Sequence, residues 1–543
     1  MKQRFLCFLL FTFLLNIVNA QLDDSLVKKV DAIFAEYDNS SSPGCALAIL
    51  KDGKIIYKKG YGMSSLEYHI AISPASIFHV ASLSKQFTAA ALIELSLEGK
   101  LSLNDDIRKY IPAVPDFGHV ITFNHLLHHT SGLRDQWELQ GLAGWRDDDL
   151  ITERDIMEML ARQKALNFLP GDEYSYCNTG YTLIAVAIKK ITGVSLRAYA
   201  DSVFFNPLGM TSTHFHSDHA EITPNRTSAY RKDDKGIWKI SIPVFDTYGA
   251  TSLFTTVEDL AKWDENFYTK KIGGNNFVTA MQLTGFLNDN TPMTYAAGLD
   301  IQTYNGYKTV AHGGADAGYR SYFLRFPDQH FSVILLANLA NIKTRLLSNK
   351  VADIFLKNTS TKDPLATIKI DTNIVKAWAG DYLDRNSNLT VTLIYRNEKL
   401  LAGNTTLKPS SNVSFTDPDG ISAYSFRGNS SNAKFVLSAK GLKNSTFEKV
   451  KKITLTAAQL QEYRGEYFSA ELDTKYKITV PDTVLLLKIP RNGEIECTPF
   501  IRDMFSDDFT ILFSRNKTNK IIGFFLSTER VRNVFFERQY TTK

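Results

Sequence analysis

A serine and a lysine three residues apart are the first residues here whose types and spacing could do chemistry. Ser82-Leu83-Ser84-Lys85 runs into Phe87 to Leu97 (FTAAALIELSL), a helix-forming stretch that stops at Gly99. Residues three apart share a helical face, so Lys85 would sit beside the Ser82 hydroxyl. A serine hydroxyl is a poor nucleophile until a neighbour takes its proton, and a partly desolvated neutral lysine can do so. Near a helix N-terminus, backbone N–H groups also favour developing negative charge. Ser-x-x-Lys alone is usually a solvated pair on an exposed helix. Here the apolar Ile77-Phe78-His79-Val80-Ala81 precedes it and a strong helix follows.

Three further short stretches could complete such a site. In Pro170 to Tyr181 (PGDEYSYCNTGY), Tyr176 and Asn178 alternate with Cys177 along an extended loop, so their side chains would project the same way. A Tyr176 phenolate stabilised by Lys85 could act as general acid/base, and Asn178 could hydrogen-bond the lysine and a substrate carbonyl. His312-Gly313-Gly314-Ala315 ends a strand-like run. Its glycines would let a substrate lie close, and the N–H groups of Ala315 and Ser82 could form an oxyanion hole. His129-Thr130-Ser131-Gly132-Leu133 reads as a structural turn.

The elements that must position these residues can be read in outline. Ala46 to Leu50 and Lys54 to Tyr61 are strand-like and joined by Asp52-Gly53, a strong hairpin signal. Tyr181 to Ile191 reads as a helix ending near Gly193. Strand-like runs return at Thr309 to His312, Tyr319 to Phe326 and Phe331 to Leu336. Strands at both ends with helices between predict one antiparallel sheet built from the two ends, with helices around it, an α+β arrangement. Asn358 to Thr372 is polar and reads as a linker. Beyond it, short alternating runs such as Leu389 to Tyr395 and Val484 to Ile489 give an all-β texture. Trp378-Ala379-Gly380-Asp381-Tyr382 resembles Tyr463-Arg464-Gly465-Glu466-Tyr467, and Phe447-Glu448-Lys449 resembles Phe536-Glu537-Arg538. This weak repeat predicts two small barrels or two halves of one.

Composition excludes more than it assigns. The 543 residues are 44% hydrophobic and 22% charged, the balance of a folded chain and not of a disordered or multi-span membrane one. A formal charge of +5 is too weak to argue for nucleic acid or an anionic surface. Lys2 and Arg4, the apolar run Phe5 to Val18 and Val18-Asn19-Ala20 have the pattern of a secretory signal peptide. Cleavage after Ala20 would remove two basic residues and Cys7, leaving Cys45, Cys177 and Cys497, an odd number. No integral membrane segment would remain. Nine Asn-x-Ser/Thr sequons, including Asn39, Asn225 and Asn516, are glycan acceptors in a eukaryotic secreted chain and mean little in a bacterial one. His214, His216 and His219 fit no common zinc spacing, and no cysteine or carboxylate ligand stands out nearby, so no metal is expected. Neither a G-x-S-x-G nucleophile elbow nor a P-loop is present.

Taken in order, these stretches resemble the serine β-lactamase and penicillin-binding-protein superfamily, closest to the class C β-lactamase-related hydrolases that include D-aminopeptidases and esterases. The similar stretches are Ser82 to Lys85, LLHHTSGL (126 to 133), PGDEYSYCNTGY (170 to 181), NPLGM (206 to 210), TTVEDLAKW (255 to 263) and HGGADAGY (312 to 319). The resemblance implies Ser82 as acylated nucleophile, Lys85 as its activator, Tyr176 as general base, and Asn178, His312 and Gly314 as substrate-positioning residues. It implies a β-lactamase/transpeptidase-like antiparallel sheet flanked by helices with a helical subdomain, and a C-terminal barrel-like region as in some D-aminopeptidase-like relatives. Expected segments are 1–20 (signal), 21–360 (hydrolase), and β-rich units at 373–452 and 458–543. The expectation is a secreted or periplasmic serine hydrolase, free of cofactor, acting on a small peptide, amide, ester or muropeptide-like substrate. Homo-oligomers through the β-rich region would be compatible. Alternatives are a true β-lactamase or D,D-peptidase, and a non-catalytic penicillin-binding-like sensor. His312 falls where the superfamily has Lys or His, but β-lactamases usually carry Lys-Thr-Gly where this chain has His312-Gly313-Gly314, which offers no permanent charge for a substrate carboxylate. Cys177 should point away from Tyr176 and Asn178 and serve packing.

Overall fold

The computed structural model describes residues 22–357, 370–418, 420, 422–439 and 443–540, so the segment 1–20 and the sequon at Asn358 lie outside it. Six strands form the main sheet: β1 (Cys45–Lys51), β2 (Lys54–Tyr61), β3 (Asp300–Tyr304), β4 (Tyr307–Asp316), β5 (Tyr319–Phe326) and β6 (Phe331–Ala337). They run antiparallel in the order β3-β4-β5-β6-β1-β2, so the two ends of the segment do share one sheet. The hairpin between β1 and β2 turns at Asp52 and Gly53, whose φ of 50° and 74° are the left-handed values a two-residue turn requires. The edge strand β3 is half-buried and polar, and β4 is longer than its apolar core suggested.

Strand β1 explains the layering. Its side chains alternate between faces, and both faces are apolar. Cys45, Leu47 and Ile49 join a core with Val30 and Phe34 of α1 (Asp24–Phe34). Ala46, Ala48 and Leu50 face the larger core around α2 (Lys85–Leu97) and α3 (Asn178–Thr192). Helix α4 (Val257–Thr269) covers the second face and α5 (Thr344–Phe355) the first. Ten of the thirteen residues of α2 are buried, which makes it the central helix of the helical part. Helix α3 ends at Gly193, left-handed at φ 76°, as the glycine signal predicts.

The β-rich region contains two sheets. Nine strands between Gly380 and Val450 form one antiparallel sheet, whose first and last strands pair at Tyr382 and Lys449. It stays open between Thr405–Thr406 and Lys408–Pro409. Eight strands between Gly465 and Gln539 form a closed barrel, sealed by Tyr467 against Arg538. The repeat seen in the sequence is thus the opening and closing strand of each sheet. Leu139, Leu142 and Met159, from the helices Gln136–Leu142 and Glu153–Ala161, enter the core of the closed barrel beside Tyr467, Tyr476 and Phe536. Among the described residues no helix is long and apolar enough to cross a membrane.

Candidate active site

Ser82 does not open α2 itself. It stands in a 3₁₀ turn, Ala81–Ser84, that leads into the helix. Ala81 holds a left-handed φ of 51°, a conformation that costs an alanine energy and persists only where the surroundings enforce it. The enforcement is visible. The Ser84 hydroxyl donates to Ala81 O at 2.6 Å and accepts from Leu253 N at 3.0 Å, while Val80 N donates to Leu253 O at 3.0 Å. From the sheet side, the Ser321 hydroxyl donates to Val80 O at 2.8 Å. Gly314 lies against the same turn. A β-carbon there would sit 2.2 Å from Val80 O. The absence of a side chain at 314 therefore lets β4 pack onto the turn.

Lys85 is fully buried at the first turn of α2. Its ammonium donates to Ser82 Oγ at 3.2 Å, to Asn178 Oδ1 at 2.8 Å and to Ala250 O at 2.7 Å. Burial pulls its pKa down to about 7; Asp135 and Asp316 oppose that shift, and Arg530 adds to it. A lysine in this state exchanges its proton at neutral pH. Asn178 is the first residue of α3. Its backbone N–H and side-chain amide both donate to Asp135 Oδ2, at 2.7 and 2.8 Å. Asp135 is fully buried and caps the helix Gln136–Leu142. A chain Asp135–Asn178–Lys85–Ser82 results.

Tyr176 completes the group. The Lys85 ammonium lies 4.9 Å from its ring centre, and Ser82 is the hydroxyl that lowers its pKa. Burial outweighs that effect and pushes the phenol above its ordinary range, so Tyr176 rests protonated. The phenolate foreseen from the sequence is thus disfavoured, and the neutral amine of Lys85 is the better resting base. The His129 turn holds the tyrosine. Its Nδ1 accepts from Cys177 N at 3.1 Å, and its ring centre is 4.2 Å from that of Tyr176. Cys177 turns the other way. Its thiol contacts Leu133 O at 3.3 Å, and burial lifts its pKa to about 12.

His312 lies at the back of the site, 7% exposed. Its Nε2 is 2.8 Å from the Tyr295 hydroxyl and its Nδ1 2.6 Å from Gly313 O. Burial first, and the Lys85 charge second, bring its pKa down to about 4, so the ring is neutral. Ser82, Tyr176, Asn178, His312, Gly314 and Ala315 all line one open cleft of about 2680 Å³. Trp137 and Phe245, stacked with centroids 4.7 Å apart, form part of its wall. All six, with Lys85 beneath them, come together as the sequence suggested.

Sequence reading missed three partners. Asp135 follows the His129 turn directly, and its helix-capping position was an available signal. Tyr295 belongs to a loop without a motif. Arg530 comes from the closed barrel and also lines the cleft. Its Nη1 is 3.8 Å from Asp135 Oδ2, and its Nε donates to Glu138 at 2.9 Å. The barrel segment that carries it is fastened firmly. Asn167 donates to Arg530 O at 2.8 Å and accepts from Arg532 N at 2.7 Å. Arg134, buried, donates to Arg532 O and pairs with Glu471.

The family model described as Beta-lactamase matches residues 30–353. Among curated proteins, the D-aminopeptidase of Gluconobacter oxydans (strain 621H) is 26% identical over 357 residues, 65% of this chain and 65% of its own length. That of Brucella anthropi is 25% identical over 358 residues, with the same two shares. The chain thus spans slightly less than two thirds of the curated relatives it matches. Among solved structures, the octameric penicillin-binding protein homologue from Pyrococcus abyssi superposes with a TM-score of 0.56 at 23% identity, covering 78% of this chain and 99% of that one. The D-amino acid amidase from Ochrobactrum anthropi SV3 gives 0.51 at 20% identity, covering 61% and 98%.

Proposed function

Because the chain belongs to the Beta-lactamase family, we propose that it is a serine hydrolase that cleaves an amide or ester bond through an acyl-Ser82 intermediate. The observation that carries this reading is Lys85, with a pKa brought to about 7 and a nitrogen 3.2 Å from the Ser82 hydroxyl. Neutral Lys85 takes the Ser82 proton as Oγ bonds to the substrate carbonyl carbon. The oxyanion is held by the N–H groups of Ser82 and Ala315. On collapse the carbon–nitrogen or carbon–oxygen bond breaks. The leaving amine or alcohol receives a proton from Lys85, relayed by the Tyr176 hydroxyl. Water then attacks the acyl carbon as Lys85 again accepts the proton; the bond from that carbon to Ser82 Oγ breaks, Lys85 returns the proton to Oγ, and the acid leaves. Asn178, fixed by Asp135, keeps the lysine aimed at Ser82 throughout.

The substrates proposed are small amides and short peptides carrying a D-residue, in keeping with what the relatives are called. A substrate carboxylate finds little at the third motif. His312 is neutral, and Arg320 spends Nη1 on Ala317 O and Tyr319 O at 2.9 and 2.6 Å. Penicillin-type hydrolysis should therefore be slow. Secretion through the segment 1–20 belongs to the same proposal, and a mature chain starting at Gln21 by intact mass would support it. The decisive experiment is fluorophosphonate labelling. A single adduct on Ser82, loss of that adduct in Ser82→Ala, and turnover of D-amino-acid amides are expected. An unlabelled Ser82, or full activity in Ser82→Ala, would sink the proposal.

A further inference from the structure

A second group of chemically capable side chains lies outside the cleft, on the three-stranded sheet that braces the Ser82 turn. In that sheet His214–Phe215 pairs with Leu253–Thr255, which in turn pairs with Phe78–His79. His214 and His216 are two residues apart, and both rings rest on Phe254, with centroids 5.7 and 4.5 Å away. A turn closed by Glu221 N donating to Asp218 O at 3.0 Å then brings the Glu221 carboxylate back to them. The sequence-based statement that no carboxylate stands near these histidines fails at this turn.

The donor atoms of His214, His216 and Glu221 all lie within 4.8 Å of one another. His216 Nδ1 and Glu221 Oε2 are 3.6 Å apart. That is too long for a hydrogen bond. It is close to the spacing of about 3.3 Å between donors that bind one tetrahedral ion at about 2.05 Å. His216 is 4% exposed, yet neither ring nitrogen has a hydrogen-bond partner, and neither does the buried Nε2 of His214. Buried ring nitrogens are seldom left so. Arg197 grips both oxygens of the Glu221 carboxylate, with Nη2 2.8 Å from Oε1 and Nη1 2.5 Å from Oε2. An ionised carboxylate has about four lone-pair sites, and a guanidinium fork uses two. Arg197 thus orients the carboxylate and leaves it able to take a further ligand. His216 also lines a small recess of about 10 Å³ with His79, His219 and Arg226.

We propose that His214, His216 and Glu221 form a binding site for one divalent transition-metal ion of the zinc type, held by two imidazoles and one carboxylate. The ion fastens the 216–221 turn to the sheet that carries His79. It serves stability and takes no part in the Ser82 chemistry.

The test uses the full-length protein, dialysed against EDTA and then titrated with Zn²⁺ alone. Equilibrium dialysis with elemental analysis should count one ion per chain, and Zn²⁺ should raise the unfolding midpoint. His216→Ala and Glu221→Gln should each bind at least about tenfold more weakly, while Ser82→Ala binds as wild type does. Co²⁺ offers a readout that needs no variant. The wild-type chain should give the intense visible bands of a four-coordinate ion. The proposal is overturned if Co²⁺ keeps the weak spectrum of its hydrated ion, or if His214→Ala/His216→Ala binds Zn²⁺ as wild type does. It is equally overturned if His219→Ala alone abolishes binding, which assigns the ion to the exposed Asp218, His219 and Asp246.

Discussion

Tyr382 and Tyr467 occupy the same place in the two β-rich sheets. Each is buried on an opening strand, and each hydroxyl donates to a carbonyl four residues back, Trp378 O at 2.8 Å and Tyr463 O at 2.7 Å. The match continues in the closing strands. Phe435 stacks on Phe447 with ring centres 4.8 Å apart, and Phe524 stacks on Phe536 at the same distance. Lys449 and Arg538 each reach back to a carbonyl before the opening strand. With the same internal design, the two sheets meet different neighbours. The closed barrel accepts Leu139, Leu142 and Met159 into its core and sends Arg530 to the cleft. The open sheet leans on the barrel, through Thr390 against Ser506 and Leu383 against Phe500 and Met504. A shared interior is therefore compatible with an open or a closed sheet, and the rim and loops decide whether a unit takes part in the site.

The largest effects should come from the shared interior. Phe435→Ala and Phe524→Ala each remove a fully buried ring and should each cost about 3–5 kcal/mol in urea unfolding. Only Phe524→Ala should also reduce kcat/KM, because it loosens the barrel that holds Arg530. Equal losses of activity in the two variants would erase the distinction between the units.

Next in size is Arg530→Gln. The reactive form of Lys85 is the neutral amine, so kcat/KM should rise with pH through about 7 in the wild-type enzyme. Arg530 lowers the Lys85 pKa; removing its charge raises that pKa and moves the rising limb to higher pH. At pH 7, kcat/KM should fall about tenfold, or about 1.4 kcal/mol. A limb that stays in place would confine Arg530 to a purely structural role. The groups that face Lys85 are Asp135, Asp316, Arg530, Cys177, Tyr176, Tyr181, His129 and His312.

The tyrosine pair provides a smaller, matched test. Tyr382→Phe and Tyr467→Phe should each lose about 1 kcal/mol of stability, the worth of one buried hydrogen bond, and leave the pH limb unmoved. The smallest effect expected is from Asp316→Asn on the main sheet. Asp316 raises the Lys85 pKa, so its loss should move the limb to lower pH; with that pKa already near 7, the gain at pH 7 is capped at about twofold. Opposite limb shifts in Arg530→Gln and Asp316→Asn would locate the tuning in Lys85 itself.

Local spacing made part of this molecule legible. Ser82 and Lys85 are separated by less than one helical turn, and Tyr176 and Asn178 flank a single residue, so no long-range information was needed to join them. The strand pairs around Asp52-Gly53 and Pro327-Asp328 were readable because turn residues punctuate apolar runs. Strand β3 was missed because a half-buried edge strand need not be apolar. The full length of β4 was hidden by Gly313 and Gly314, which weaken a strand pattern although the ladder with β5 continues through them. Asp135 meets Arg530 across nearly four hundred residues, and nothing near either one marks the meeting. The two-barrel question needed the register, because similar edges could have closed one sheet or two. Glu221 illustrates the same limit, since a tight turn reverses a direction that spacing alone leaves open.

The pairing of first and last strands has one more consequence. Leu383 lies opposite Glu448 in the open sheet, and Phe468 lies opposite Glu537 in the barrel. Paired backbones stand only about 5 Å apart, so the chain enters and leaves each unit at nearly one point. A unit wired like this is a cassette. It can be duplicated in tandem without drawing its two ends apart. A copied cassette is then free to diverge at its rim, and a single arginine on a borrowed loop suffices to bring it into the chemistry of its host.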